Sequence, residues 1–446
     1  MDVQKSSEFP GYQEKAPGTL RPVTSHGTGR YDTSILVEPR PRRIPAGLFT
    51  VSQDPEPEYL PPLWSAHVHP EGQLYFYRDG SLRVVTEAYL YRTETVENVC
   101  LWIDRIQEIL CSTNTAVSRD IELFIKLEDD DCAYYFIDHA NRTQFWLETS
   151  GTEELGLPPV ISISQLKIVL EELYWIHVEH FPMHLQALSP QALDEIIGIF
   201  SHGLCDQMTS RVSTFLYTVR DCKAFVTILQ GCRGNMNNGH TTWIIARLWS
   251  IIDHNKYITH YGQEHSRLSR DQAILFDPEQ KHCWISTIMA ALTFKTSDRH
   301  LTRLDDVFVD HIVYVDQWER LISDCLREWR RSAYGALSGL RLHLPFLAFN
   351  APSPALLAVS VAAFGAGLAS SIVLAHKYEP MEGINATEAM YYLETVQSPV
   401  FKFQPLAFAF SLPTALRLWG FVLFLSNCAL LIAEYLGWKF AVGLVG

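Results

Sequence analysis

Residues 355–375 read ALLAVSVAAFGAGLASSIVLA and contain no charged side chain. A helix needs about 20 apolar residues to cross the hydrocarbon core of a bilayer. Pro354 precedes the run and Lys377 follows it, as suits the two ends of such a helix. The alternative is a buried helix of a soluble protein, but such helices seldom lack every polar anchor over this length. The run therefore predicts a membrane-spanning helix.

A second apolar segment extends from residue 416 to about 438. Arg417 and Glu434 lie near its ends, where a long charged side chain can reach water. Trp419 and the aromatic residues at the far end suit the interfacial belts of a bilayer. The two segments predict a C-terminal hairpin of two transmembrane helices within residues 334–446.

Small residues form one face of the first segment. Gly365 and Ala369 are four residues apart and would lie one above the other on a helix. Small residues let helices approach each other closely inside a membrane. This face predicts close packing of the two spans, or a homo-oligomer formed through them.

Basic residues set the expected orientation. Those before the first segment are Arg327, Arg330, Arg331 and Arg341. The connecting loop holds Lys377 and Lys402 among several glutamates, so the positive-inside rule places the N-terminal bulk in the cytosol. The loop would then be luminal, which agrees with a glycosylation acceptor at Asn385-Ala386-Thr387. We expect an integral protein of an endomembrane, either the endoplasmic reticulum or a compartment derived from it.

Composition narrows the functional classes. The net charge is −14 over 446 residues, and no basic stripe is present. Nucleic-acid binding depends on such stripes, so the sequence predicts none. The nine cysteines are scattered and include no CxxC pair. They fit neither a zinc ribbon nor a disulfide framework, which indicates a reducing compartment.

The local composition and the apolar periodicity of the chain change several times along its length. Residues 1–58 are rich in Pro, Ser and Gly and predict a disordered tail. Helical periodicity dominates residues 151–333, while aromatic β-like runs occupy residues 59–92 and 119–150 on either side of a helical linker at residues 93–118. The expected fold is mainly α with small β modules, a helical domain and a membrane anchor.

Two aromatic stretches share a spacing. Residues 60–64 read LPPLW and continue as SAHVHPEGQLYFYRDGS, so that Trp64 precedes Tyr75-Phe76 by 11 and 12 residues. The second stretch reads ELFIKLEDDDCAYYFIDHANRTQFWLE from residue 122, and Phe124 precedes Tyr135-Phe136 by the same intervals. Aligning the two stretches predicts an internal repeat with a period of 60 residues.

Both stretches resemble the WW domain, a small three-stranded sheet that binds polyproline-II segments. The second also has His139, Thr143 and Trp146 where the family has His, Thr and its second Trp, whereas the first lacks that Trp and His. The resemblance implies a ligand slot formed by Tyr135 and Trp146. It also implies a neighbouring specificity pocket and a core for the modules. The pocket residues would be Ile137, His139 and Arg142, and the core residues Trp64, Phe76, Phe124 and Phe136. The alternative is that both stretches are ordinary hairpins of a larger fold.

Few residues suggest catalysis or metal binding. His177, His180 and His184 form an HxxHxxxH pattern that could bind a metal on a straight helix, but Pro182 disturbs it, and histidines in a core or at a helix end are the favoured interpretation. The cysteines and histidines of residues 202–240 could supply a nucleophile and a base, yet their spacing matches no hydrolase signature. They are Cys205, Cys222, Cys232, His202 and His240.

We therefore expect no cofactor, no metal and no catalytic site. The predicted function is that of a membrane-tethered adaptor that binds proline-containing segments of partner proteins. Two alternatives stay open. One is an enzyme with its site in the helical domain, around His177, His180 or Cys205. The other is a purely structural membrane protein.

Overall fold

The computed structural model describes residues 18–30, 36–41, 46, 60–112, 118–185, 188–275, 284–347 and 353–445. The chain forms two compact units. Unit 1 comprises Met1–Cys205 and Val219–Ser266, and unit 2 comprises Asp206–Thr218 and Arg267–Gly446. The boundary divides the stretch predicted as one helical domain, because the helix at Gly239–Ile258 packs against the helix at Ile163–His180, which in turn contacts the strands of unit 1.

Unit 1 contains a mixed sheet of seven strands. The strands are β1 (Leu20–Pro22), β2 (Trp64–Val68), β3 (Leu74–Arg78), β4 (Arg83–Thr86), β5 (Ile121–Glu128), β6 (Asp131–Asp138) and β7 (Thr143–Phe145). Their order is β1-β6-β5-β4-β3-β2, and β7 also pairs with β6. The pairs β4–β5 and β1–β6 are parallel, and the others are antiparallel.

Five helices accompany this sheet in the chain. They are α1 (Thr93–Ser112), α2 (Ile163–His180), α3 (Pro190–Thr209), α4 (Val219–Cys232) and α5 (Gly239–Ile258). The crossover between the parallel strands β4 and β5 is α1, whose apolar side packs on one face of the sheet. Aromatic contacts from Phe181 and His177 show that α2 covers the opposite face, and α5 packs against α2.

The two WW-like stretches each form a three-stranded antiparallel meander, β2–β4 and β5–β7. They are not separate modules, because four parallel residue pairs between Arg83–Thr86 and Glu122–Ile125 join them edge to edge. The expected linker, residues 93–118, is for the most part the core-forming helix α1. One continuous sheet buries an apolar face that two isolated meanders would leave in water.

The predicted module core is divided between the two sheet faces. Trp64, Phe76 and Phe136 lie in the cluster that α1 covers. Phe124 points to the other face, where its ring stacks on Tyr135 at 4.6 Å between centroids. The cause is the pairing register of the two hairpins. Residues paired across two strands lie on the same face, and Phe124 pairs with Tyr135, whereas Trp64 pairs with Arg78, two residues beyond Phe76.

Part of the predicted disordered tail is structured. Leu20–Pro22 forms β1 and pairs with β6. Ser25 is fully buried and its hydroxyl donates to the carbonyl of Leu173 at 2.7 Å. Composition missed this segment because its order comes from backbone pairing with a distant strand. Much of the remaining tail, including residues 1–17 and 47–59, lies outside the described residues.

Unit 2 is helical. Its helices are α6 (Trp284–Leu292), α7 (Thr296–Val307), α8 (Val315–Leu342), α9 (Pro354–Tyr378), α10 (Ala386–Val396) and α11 (Gln404–Val445). A core of apolar side chains from α7, α8, α10 and the adjoining ends of α9 and α11 surrounds Trp318 and Trp329. Between α7 and α8 the chain forms an isolated bridge from Val309 to Ile312.

Among the described residues, two helices are long and apolar enough to cross a membrane, one beginning at Pro354 and one at Gln404. Only 22% and 17% of their most apolar windows are buried within the protein. This low burial disfavours the explanation that they are core helices. The second helix begins 12 residues before the predicted start, since it continues through Pro413.

The loop between these helices packs beside the segment that precedes them. Trp318 donates from Nε1 to the carbonyl of Met381 at 2.8 Å, and Arg330 pairs with Glu379 at 2.9 Å. Leu393 of the loop is fully buried in the same core. The loop that contains Asn385 and the segment around Trp318 thus share one core, whereas the sequence predicted them on opposite sides of a membrane. The orientation itself stays a prediction.

Candidate functional site

A fully buried carboxylate lies at the centre of unit 1. Glu122 belongs to β5, where side chains alternate between the two faces of the sheet. Leu123 points to the face covered by α1, so Glu122 and Phe124 point to the face covered by α2. Glu122 has 0% exposure. A charge at such a position is costly unless it is paired, so its partners define the site.

Two histidines approach the carboxylate from the α2 side. His177 lies in the last turn of α2, with Nε2 at 2.9 Å from Oε1 of Glu122. His184 follows the end of α2, with Nε2 at 3.0 Å from Oε2. Because a carboxylate only accepts hydrogen bonds, both Nε2 atoms carry the proton and donate. Each Nδ1 atom is then an acceptor.

Those acceptors are used by the two tyrosines that the repeat aligns. The hydroxyl of Tyr135 in β6 donates to Nδ1 of His177 at 3.1 Å. The hydroxyl of Tyr75 in β3 donates to Nδ1 of His184 at 3.3 Å. Each meander thus supplies one Tyr, and each Tyr is linked to the same carboxylate through a histidine from the α2 side. The site is a branched network with two Tyr–His arms that meet at Glu122.

Two further groups complete the surroundings of Glu122. Arg83 of β4 brings Nη2 to 2.9 Å from Oε2, and its Nε donates to the hydroxyl of Tyr77 at 2.9 Å. His139, in the turn after β6, has Nε2 at 3.6 Å from the same carboxylate oxygen. This distance is too long for a hydrogen bond, and the buried Nε2 of His139 has no hydrogen-bond partner among the described residues.

The charge state follows from these contacts. Burial alone would raise the pKa of Glu122, but His184, His139 and His177 oppose that effect and hold it well below its usual value. Desolvation lowers the pKa of His177 to about 4, against the opposing effect of its hydrogen bond to Glu122. At neutral pH the site therefore contains a carboxylate, a neutral His177 and the guanidinium of Arg83.

The residues assigned to the peptide slot lie in the interior or against helices. Tyr135 and Ile137 have 0% exposure, and Trp146 donates from Nε1 to the carbonyl of Val23 at 2.7 Å. The side chain of Arg142 packs over the Trp175 ring at 5.4 Å and pairs with Glu195 at 3.3 Å. A ligand could reach the Tyr135 ring only after α2 moved away.

The three patterned histidines separate into two groups. His177 and His184 converge on Glu122, whereas His180 lies 3.4 Å from the hydroxyl of Thr28. Desolvation lowers the pKa of His180 to about 3. The spacing i, i+7 brought two of the three residues together, although the second lies beyond the end of the helix.

The cysteine candidates do not form a nucleophilic site. Cys222 and Cys232 are buried in α4, where desolvation raises the pKa of both thiols, to about 11 for Cys222. A protonated thiol is a poor nucleophile. Cys205 is exposed on α3.

Glu122, Arg83 and Tyr75 are the members of the site that the sequence did not single out. The available signal was an acidic residue in the otherwise apolar run of IELFI, at a position that faces inward. The chain matches no family model, no curated protein and no solved structure in the three comparisons made with known proteins.

Proposed function

We propose that this chain is a membrane-anchored adaptor, whose unit 2 holds it in an endomembrane and whose unit 1 binds proline-containing segments of partner proteins. The observation that carries the anchoring is the exposure of large aliphatic side chains on α9 and α11. Val359, Ile372, Val373, Leu425 and Ile432 are all more than half exposed. Such a surface costs free energy in water and is matched by lipid.

Three helical segments would enter the bilayer. The last part of α8 packs against α9 so closely that a side chain at Gly339 would overlap the ring of Phe364. A buried chain of hydrogen bonds runs from His343 through the hydroxyl of Ser360 to the carbonyl of Gly420. Hydrogen bonds between helices are the usual polar contacts inside a membrane. The end of α8 and the start of α9 would thus form one inserted hairpin, beside the crossing helix α11.

This arrangement places residues 304–329 and the loop at residues 379–403 on the same side. Five basic residues next to the apolar segments would then belong to one face of the membrane, while Arg341 lies in the inserted hairpin and Lys439 near the far end of α11. The positive-inside rule assigns the face with the five residues to the cytosol. They are Arg327, Arg330, Arg331, Lys377 and Lys402. Asn385 would accordingly stay unglycosylated, and the C-terminus would lie across the membrane.

A topology experiment tests the anchoring. Single cysteines at exposed Arg320 and Gly383 should react equally with an impermeant maleimide in sealed microsomes of cytosol-out orientation, in a variant otherwise free of exposed cysteines. A cysteine added after Gly446 should react only after the membrane is permeabilised. Opposite reactivity of positions 320 and 383 would disprove the shared side. Release of the protein by alkaline carbonate would disprove anchoring itself.

Recognition would use the exposed aromatic surface of the first meander. Tyr89 is 49% exposed, and its ring lies 5.3 Å from that of Tyr91, which in turn packs on Phe76 at 5.1 Å. The guanidinium of Arg92 lies over Tyr89 at 5.7 Å. Polyproline-II segments bind to grooves lined with such rings. This surface replaces the Tyr135–Trp146 slot in the proposal, because those two side chains are engaged by the protein itself.

Peptide titration tests this surface. Full-length protein in detergent should bind a proline-rich peptide from a library, and Tyr89→Ala should weaken binding at least tenfold. Tyr135→Phe should leave binding unchanged, since its ring does not reach the surface. Loss of binding in Tyr135→Phe with retention in Tyr89→Ala would return the slot to the second meander. If the protein bound no member of the library, the proposed adaptor function would be disproved.

The small-residue face of α9 still permits self-association. A side chain built at Gly365 would meet no other atom within 4 Å, and Ala369 is exposed. The helices within the chain use a different face, centred on Phe364 and Gly367. A homo-oligomer through Gly365 and Ala369 therefore remains a prediction, testable by cross-linking of the protein in its membrane.

A further inference from the structure

Within unit 1, side chains from three separate elements bring metal-ligand atoms together. Glu122 comes from β5, His139 from the turn after β6, and His177 from α2. One carboxylate oxygen and two imidazole nitrogens of these residues lie within 4.8 Å of one another. We propose that they bind a divalent transition-metal ion of the zinc type in a closed, structural site.

The distances suit such an ion. Zinc–nitrogen and zinc–oxygen bonds of roughly 2.0–2.2 Å in a tetrahedron hold ligand atoms about 3.3–3.5 Å apart. The Nε2 atom of His177 lies 2.9 Å from one oxygen of Glu122, and that of His139 lies 3.6 Å from the other. Because His139 is in a turn, its ring can shift inward to complete the coordination.

The hydrogen bonds of His177 allow it to become a ligand, because its two ring nitrogens contact Glu122 and Tyr135. For His177 to bind through Nε2, its proton must move to Nδ1, where the hydroxyl oxygen of Tyr135 at 3.1 Å can accept the new hydrogen bond. A metal-bound histidine usually donates its second N–H in this manner. Binding therefore requires a change of tautomer but no net loss of a proton.

The unsatisfied nitrogen of His139 supports the assignment. Among the described residues its buried Nε2 atom has no hydrogen-bond partner, although it lies 3.6 Å from a carboxylate oxygen of Glu122. An ion between them would satisfy both groups. Arg83 opposes the proposal, since its guanidinium already neutralises part of the charge on Glu122. Arg83 and His184 contact Oε2, however, which leaves Oε1 to the ion.

The chemistry of the site favours a structural role over a catalytic one. Glu122 and His177 have 0% exposure and the side chain of His139 only 15%, so an ion held between them would be shielded from most of the solvent. Catalytic zinc sites keep one position open, whereas structural sites are closed. The ion would link α2 to the centre of the sheet, because Glu122 belongs to β5 and His177 to α2.

Metal titration of the full-length protein tests the site. Metal-stripped protein in detergent is titrated with zinc chloride in the presence of a chromophoric chelator, and bound metal is counted by mass spectrometry. We expect one tightly bound ion per chain and a rise in the unfolding temperature of unit 1. Bound cobalt should give the visible absorption of a tetrahedral site with nitrogen and oxygen ligands.

The decisive variant is His139→Ala. It removes one ligand and leaves the hydrogen bonds of Glu122, His177 and Tyr135 in place, so unit 1 should still fold without metal. Affinity should fall at least tenfold, and the thermal shift should disappear. His254→Ala is the matched control, because that histidine is exposed and pairs only with Glu172 among the described contacts. Absence of tight binding in the unaltered protein, or equal binding in His139→Ala, would overturn the proposal.

Discussion

The first and second meanders of unit 1 share a sequence pattern and differ in place. In the first meander, β2 forms one edge of the sheet. In the second, β5 and β6 lie in the interior of the sheet. Both present the Tyr of a Tyr–Phe pair to α2 and the Phe to α1. The aromatic residue 11 positions earlier faces α1 in the first and α2 in the second. A shared spacing thus specified two strands that pair, but it did not specify their register or their position in the sheet.

The largest expected effect comes from the carboxylate on which the two arms meet. Glu122→Ala removes the partner of Arg83, His177 and His184 and should destabilise unit 1 by about 3–5 kcal/mol, as when one member of a buried ion pair is removed. Denaturant unfolding of the full chain measures this. Glu128→Ala, on the same strand but near its exposed end, should cost at most ~1 kcal/mol. Equal effects would show that the two arms do not meet at Glu122.

Acid should weaken unit 1 through its neutral histidines. The pKa of His177 and of His67 is lowered to about 4, in both cases first of all by desolvation. Between pH 6.5 and pH 4 the unfolded chain therefore binds more protons than the folded one, and stability decreases as the pH falls through this window. Unfolding curves recorded from pH 7 to pH 4.5 test the sign. A stability that increased on acidification would contradict the neutral state of these residues.

The two tyrosines should differ in a predictable order. Tyr135 makes one hydrogen bond in the network, so Tyr135→Phe should cost about 0.5–1.5 kcal/mol. The hydroxyl of Tyr75 also accepts from the backbone N–H groups of Met183 and His184. Tyr75→Phe leaves those donors unsatisfied and should cost roughly 1–3 kcal/mol. A larger loss of stability in Tyr135→Phe than in Tyr75→Phe would contradict the stronger hydrogen bonding assigned to Tyr75.

The smallest effect is expected at the edge strand. Val68 in β2 is 55% exposed, so Val68→Thr should change the stability of unit 1 by less than about 0.5 kcal/mol. Ile137→Thr, the matched change at a fully buried position of β6, adds a hydroxyl where no water is available and removes apolar contacts. It should cost roughly 1–3 kcal/mol. Similar losses of stability at the two positions would contradict the placement of β2 at the edge of the sheet and β6 in its interior.

The sequence predicted local structure better than it predicted assembly. The apolar run at residues 355–375 located α9 to within three residues. The parallel pairing of β4 with β5, by contrast, depends on a crossover that buries α1, and no spacing within either stretch records it. The packing of the loop at residues 379–403 beside Trp318 likewise has no signal in the local sequence.

For the same reason, the sequence indicated only some residues of the candidate site. His177 and His184 were found because residues seven apart share a helix face. Glu122 reaches these histidines from β5, which is distant in the sequence. Tyr75 and Tyr135 can bond to the histidines only because the joined sheet turns both side chains toward α2. The pattern that resembled a ligand slot consists of real neighbours in a sheet, but a helix that the pattern does not contain covers the ring of Tyr135.

Hydrogen exchange of the full-length protein, followed by peptide-resolved mass spectrometry, tests most directly whether the two meanders form one sheet closed by α2. Amides of Asp131–Asp138 should be protected up to the global stability of unit 1, and those of Trp64–Val68 should exchange earlier through local opening of the edge. Early exchange of both strands, at the rate of an isolated hairpin, would contradict this account and return the second meander to an independent module.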